Sequence, residues 1–333
     1  MDQIIASLQA ILVGVGGMLI YFFGANFLLD NLIKDEVASD GTVIRSRINQ
    51  REAIRPWIFI GPTVILLGVY LVYPAINTFY LSFYDATGRS FVGLRNYQWA
   101  VNDNGFQISV RNNILWLLIV PFVSTALGLV IAVMADRVRW GTIVKSLIFM
   151  PMAISFVGAS IIWKFIYAYD PNIGLLNAIG AQFGMEPSTW YTVPPFNSLA
   201  LMVILIWIQT GFAMVLLSAA LRGVPDETLE AARIDGANEV QVFFNIMIPQ
   251  IMGTIVVVLT TIIIVVLKVF DIVLTMTDGQ FGTEVLANYM DRRMFRGGLD
   301  SGRSSMIAVT IMVAILPIMM WNIYRFQQEE KTR

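Results

Sequence analysis

RGVPDETLEAARIDGANEVQVFFNIMIPQ, residues Arg222 to Gln250, is a polar, acidic island between two apolar segments that are each long enough to cross a bilayer. Pro225 suits the first turn of a helix, because the N–H it lacks would be unpaired there. Asp226, Glu227 and Glu230 sit where the positive end of the helix dipole favours them. Gly236 can take the left-handed conformation that ends such a helix, and Asn238 with Gln241 three residues on forms a variant of the capping box for a second. The second helix runs through Phe243, Phe244, Ile246 and Ile248, and Pro249 is expected to stop it. A helix, a glycine turn and a helix at a membrane face follow.

An amphipathic hairpin resting on lipid headgroups is the competing reading. Such a hairpin would carry Lys and Arg on its polar face. This one sets Arg222 and Arg233 against Asp226, Glu227, Glu230, Asp235 and Glu239. Small residues at Ala231, Ala232 and Ala237 permit close approach to a protein groove, where Glu230 and Asp235 can reach basic or backbone donors.

The rest of the chain is membrane-like. Of its 333 residues 57% are hydrophobic and 14% charged, with mean hydropathy +0.70, against about 25% charged in a soluble domain. A net charge of −1 argues against a nucleic-acid partner, which requires a concentrated basic face. The absence of Cys and His excludes disulfides, thiolate nucleophiles, Ser-His pairs and thiolate- or imidazole-bound metals. No catalytic or metal site is expected.

Seven apolar runs reach the roughly 20 residues that a spanning helix needs: Ile4 to Leu29, Trp57 to Phe83, Asn113 to Ala135, Ile143 to Tyr167, Ser198 to Leu221, Ile251 to Thr275 and Ser305 to Phe326. The first is too long for a signal peptide and follows Asp2 rather than a basic start, so it is read as a retained helix. The fold class expected is an all-α integral membrane protein.

Cytoplasmic loops keep Lys and Arg. One side collects the Asp30 to Pro56 loop with Lys34, Arg45, Arg47, Arg51 and Arg55, the turn with Arg137 and Arg139, the island, and the tail with Arg325, Lys331 and Arg333. The Asp170 to Asn197 loop has no Lys or Arg and lies opposite. Arg292, Arg293, Arg296 and Arg303 strain the rule on the outer side. The amino terminus is expected outside, the carboxyl terminus and the island inside. Phe91, Tyr97 and Trp99 read as interfacial anchors or, alternatively, ligand contacts. Asp170 to Asn197 is expected to hold one short amphipathic helix between turns.

The pattern Glu230-Ala231-Ala232, three residues, Gly236, nine residues, Ile246, one residue, Ile248 and Pro249 resembles the EAA loop of binding-protein-dependent ABC importer permeases. FVGLRNYQWAV from Phe91, IIWKFIYAYDPNIGLLN from Ile161 and KVFDIVLTMTDGQFGTEVLANYMDRRMF from Lys268 are similar to the maltose-permease-like carbohydrate subgroup, and the length and extra first span to α-glucoside permease subunits. Departures are Ile248 for the usual Leu, and Gln280-Phe281 where the family often has Gly-Pro.

The resemblance implies that residues 1–56 are an extra transmembrane helix and cytoplasmic linker, and 57–333 an importer transmembrane domain with its coupling loop at 222–250. It implies a bacterial inner-membrane complex: a second permease in a heterodimer, two copies of a cytoplasmic ATPase docked on Glu230, Ala231, Ala232, Asp235, Gly236 and Ala237, and an external solute-binding protein. ATP and Mg would bind the partner, leaving this chain without a cofactor. The chain has no G-x-x-x-x-G-K-[ST] loop, none of its lysines following a glycine.

Polar and aromatic groups inside spans usually face a cavity or another helix. Trp207, Gln209, Thr210 and Phe212 in the fifth span, and Lys268, Phe270 and Asp271 in the sixth, are the candidates. Lys268 and Asp271, three apart, could instead neutralise each other on one helical face. Trp207 and Phe270 read more simply as packing residues, and Lys164 as a snorkelling lysine. The resemblance puts Gln209, Phe212 and Asp271 where the maltose-permease family contacts sugar. An amino-acid or metal permease, an ion-coupled carrier and an assembly subunit without a substrate path are the other readings. Only Asp271 is clearly an acid inside a span, which disfavours the carrier.

Overall fold

The structure, a computed structural model, describes residues 2–33, 36–37, 43–45 and 48–331. Of the residues used in the charge count, Lys34, Arg47 and Arg333 lie outside them, as do the side chains of Arg45, Arg51, Arg325 and Lys331. The chain divides into two units, Met1–Asn77 and Thr78–Arg333.

The first unit holds α1 (Asp2–Leu32), a two-strand antiparallel pair (Glu36–Val37 with Val43–Arg45) and α2 (Ile48–Leu67). A π-helical turn at Gly68–Val72 joins α2 to α3 (Tyr73–Leu81), whose later residues belong to the second unit. Phe59 packs on Phe22 at 5.5 Å and edge-on to Tyr21 at 6.4 Å between α1 and α2. The second helix begins at Ile48 rather than Trp57, with Pro56 inside it. An interior proline removes its own N–H bond and crowds the carbonyl four residues back, yet helical backbone runs on through Pro56 and Pro62.

The second unit contains α4 (Arg95–Asn102), α5 (Asn104–Asp136), α6 (Gly141–Phe149), α7 (Phe156–Ile166), α8 (Leu175–Gln182), α9 (Phe196–Arg222), α10 (Asp226–Ile234), α11 (Glu239–Gln241), α12 (Ile248–Gln250), α13 (Met252–Leu267), α14 (Asp271–Met276), α15 (Leu286–Asp291) and α16 (Ser301–Lys331). α5 and α9 share the most extensive interface and α13 packs on both, burying Trp116, Val120, Leu205, Met214, Leu217 and Ile262. α8 is the short helix expected between Asp170 and Asn197.

Among the described residues, five helices are long and apolar enough to span a membrane: Ile5–Leu29, Glu52–Leu81, Asn104–Asp136, Phe196–Arg222 and Ser301–Trp321. Two more of the seven expected spans are bent pairs, Gly141–Ala153 with Phe156–Ile166 at 107° and Glu239–Gln250 with Met252–Leu267 at 68°. The single helix expected over Ile143 to Tyr167 is therefore corrected. A 3-10 turn, Met150–Ala153, carries Pro151, after which Ser155 caps α7 by accepting from the Gly158 N–H at 3.1 Å. The expected span from Ile251 to Thr275 is also interrupted, at Lys268–Phe270 between α13 and α14. Lys268 and Asp271 thus share no helical face, and no ion pair joins them among the described residues.

Candidate functional site: the hairpin and the helices behind it

The hairpin forms as its residues require. α10 opens with Asp226 and Glu227 in its first turn, and Pro225 stands one place before the helix, as its N-cap residue. Gly236 has φ +87°, a conformation that costs an L side chain roughly 1–2 kcal/mol. Around it the Ala237 N–H donates to Ala232 O at 3.0 Å and the Gly236 N–H to Arg233 O at 3.1 Å, the paired bonds of a Schellman end. Asn238 and Gln241 then make the reciprocal capping box, both bonds at 2.9 Å. Arg233 Nε donates to Glu239 Oε1 at 2.9 Å across the turn, tying one helix to the other. That hydrogen bond, and then the guanidinium charge, hold the Glu239 carboxyl below the usual carboxylate range.

Pro249 does not end the second helix. Helical backbone continues through Gln250 and turns at Ile251, while Val242–Met247 widens into a π-helix. A proline ring clashes with the carbonyl four residues back and leaves it unpaired. Five-residue spacing upstream of Pro249 relieves that crowding.

Glu230, Ala231, Asp235 and Gly236 are exposed at the hairpin, with Ala232 and Ala237 half-buried. Sequence reasoning missed Ile234, 85% exposed four residues after Glu230, and the exposed Val240. An isoleucine in an otherwise polar island was the available signal. The hairpin therefore presents exposed apolar side chains as well as charged ones.

On α9, Gln209 and Thr210 are buried, Trp207 and Phe212 half-buried. The Thr210 hydroxyl donates to Ile206 O of its own helix at 2.7 Å. Gln209, 7% exposed, has no side-chain hydrogen bond within the described residues. Trp207 lies edge-on to Trp163 at 5.9 Å, and the Trp163 Nε1 is itself buried without a partner. Gly211 permits the approach of α9 to the end of α6: an added Cβ would fall 2.5 Å from Ile148 O. Asp271, half-buried, opens α14, which packs against α7 and α9. The structure brings the helices of Gln209 and Asp271 together, while no hydrogen bond joins the two side chains among the described residues.

At the other end of the unit the four arginines that strained the charge rule have acidic partners. Arg292 pairs with the buried Glu284, Arg293 with Asp103 at 3.5 Å, Arg296 with Asp278 at 2.6 Å and Asp291 at 2.7 Å, and Arg303 with Asp300 at 3.4 Å. Trp99 lies against Arg293 and Arg303, 4.9 and 4.6 Å from ring centre to guanidinium. Tyr97 shares a 2.8 Å hydroxyl bond with Ser82. All three rings are engaged within the fold, Phe91 lying edge-on to Tyr84 at 5.6 Å while it stays exposed. The backbone from Gly282 to Leu286 is held from α5: Asn112 Nδ2 donates to Gly282 O and Glu284 O at 2.7 Å, and Asn113 Oδ1 accepts from the Leu286 N–H at 2.8 Å.

Long apolar helices, two bent helix pairs and a polar capped hairpin between α9 and α13 define an all-α membrane protein. Residues 124–329 match the family of binding-protein-dependent transport system inner membrane components. The chain belongs to that family: it is a multi-pass inner-membrane protein, a permease subunit of an ABC importer and not a catalytic one. It is 54% identical over 333 residues to the alpha-glucoside transport system permease protein AglF of Rhizobium meliloti, covering 99% of each chain. It is 51% identical over 280 residues to the osmoprotective compounds uptake permease protein GgtC of Synechocystis, covering 83% of this chain and all of that one. Its fold is similar to a crystal structure of a bacterial ABC transporter that imports alginate, with TM-score 0.72, 19% identity, and coverage of 84% of this chain and 99% of the other.

Proposed function

We propose that this chain is one half of the translocation path for an α-glucoside or related oligosaccharide. The observation that carries the reading is its full-length similarity to a permease named for alpha-glucoside transport. The amide of Gln209, a largely buried residue with no side-chain hydrogen bond among the described residues, supports it, since sugar hydroxyls need donors and acceptors together. Phe212, Trp207, Thr210 and Asp271 supply the remaining aromatic and polar surface of the same path.

In this reading a second permease completes the cavity, and two copies of a cytoplasmic ATPase bind ATP and Mg and hydrolyse the nucleotide. One ATPase receives Glu230, Ala231, Ala232, Asp235, Gly236 and Ala237 in a groove, around the exposed Ile234. An external binding protein delivers substrate. The amino terminus lies outside, the hairpin and carboxyl terminus in the cytoplasm. Closure of the ATPases moves the hairpin, and the helices behind it rock between inward- and outward-open states.

Uptake by the reconstituted complex tests the reading, with labelled α-glucosides compared against amino acids, divalent metals and other sugars. ATP-dependent accumulation of α-glucosides is expected. Accumulation of non-sugars alone overturns the assignment. Similarity to GgtC favours a second reading, uptake of an osmoprotective compound, which the same assay separates by including such solutes.

A further inference from the structure

Beside the hairpin root, α5, α6 and α9 enclose a cavity of about 500 Å³ whose lining divides by chemistry. Arg139, Lys145, Arg222 and Thr142 form one part, and Phe149 and Val215 are apolar surface in the same wall. Lys145 is already satisfied: its Nζ pairs with Asp136 and donates to Ser218 Oγ at 2.5 Å, and Ser218 Oγ donates to the second Asp136 oxygen at 3.1 Å. This closed triad uses the one acid that lines the cavity. Arg139 and Arg222 are exposed and have no ion pair among the described residues.

Two uncompensated guanidiniums in one cavity repel, and an anion between them offsets that repulsion. Their planar forks match phosphate oxygens two at a time. The apolar wall narrows the choice of anion. Phe149 lies eight residues along α6 from Gly141, about 12 Å at 1.5 Å per residue. The lining therefore extends about 12 Å from the turn after α5 along an apolar helix that belongs to a candidate span. A soluble phosphate would make no use of Phe149 or Val215, whereas a phospholipid carries both parts.

We propose that this cavity holds an anionic phospholipid, its phosphate between Arg139 and Arg222 and one acyl chain along Phe149 and Val215. Basic pockets between spanning helices hold such headgroups in other membrane proteins. Arg222 closes α9 and begins the hairpin segment, so the lipid would fix the hairpin root at the membrane surface.

Native mass spectrometry of the purified complex, equilibrated with equal phosphatidylglycerol and phosphatidylethanolamine, tests this. Preferential retention of phosphatidylglycerol is expected, with Arg139→Gln and Arg222→Gln each lowering it roughly fivefold and the Lys variants at both positions keeping it. Equal retention of the two lipids overturns the proposal, as does unchanged retention in the double Gln variant. Displacement of the lipid by excess inorganic phosphate that is itself retained also overturns it, in favour of a free-anion site. If the double variant does not assemble, Arg139→Gln alone gives the same reading. Lipid mass is measured independently of transport, so these outcomes do not depend on which solute the complex carries.

Discussion

Asn238 and Gln241 hold each other's backbone: Asn238 Oδ1 accepts from the Gln241 N–H and Gln241 Oε1 accepts from the Asn238 N–H, both at 2.9 Å. Each bond satisfies a donor left orphaned at a helix start. Asn238→Ala is expected to cost about 1 kcal/mol of local stability, read as faster amide exchange over residues 239–247 in the assembled complex. Asn238→Asp keeps the acceptor and should restore protection.

Gly236 at φ +87° carries a separate expectation. No atom lies within 4 Å of a Cβ built there, so conformation rather than space is the constraint. Gly236→Val should lower ATP-coupled uptake while insertion into the membrane is unchanged, and Gly236→Asn, which tolerates the left-handed region, should retain most of it. Unchanged uptake in a Glu230→Ala/Gly236→Val double variant would remove the coupling role.

The Glu239 carboxyl is held low by Arg233. A depressed folded pKa means that the tie is fully present above the ordinary carboxylate range and is lost as pH falls through the lower, folded value. The carboxyl resonance of Glu239 should therefore titrate below that of a free glutamate, and Arg233→Gln should return it to the ordinary range.

Removing the Gln209 amide tests the substrate path. Gln209→Ala is expected to raise KM for uptake roughly tenfold, the worth of a hydrogen bond or two, with the assembled complex and its basal ATPase rate unaltered. An unchanged KM would take Gln209 out of the path.

Gly211 tests the packing behind it. Gly211→Ala sets a Cβ 2.5 Å from the Ile148 carbonyl oxygen, and overpacking of this kind costs about 1–3 kcal/mol. A lower unfolding temperature in detergent is the expected outcome.

The apolar run lengths made the candidate spans legible, five as single helices and two as bent pairs among the described residues, because span length follows from bilayer thickness. Pro225, Gly236 and Asn238 located the start of the hairpin and its turn for the same local reason, whereas Pro249 marked no helix end. Changes of direction were not legible. Hydropathy summed over Ile143 to Tyr167 is blind to the bend after Pro151, and Lys268–Phe270 interrupts its span with no glycine or proline to mark it. Partners distant in sequence were equally hidden: nothing local ties Asp103 to Arg293 or Asn112 to Gly282. Ile234 was overlooked because the island was read by its charge.

The 68° corner at Ile251 makes the hairpin and α13 the two arms of a bell crank. In the coupling proposed above, a thrust along one arm would reach the other largely as a sideways swing about Ile251, which is buried at 3% exposed. Small axial travel at the membrane face would then become lateral displacement within it. A straight helix would instead have slid along its own axis.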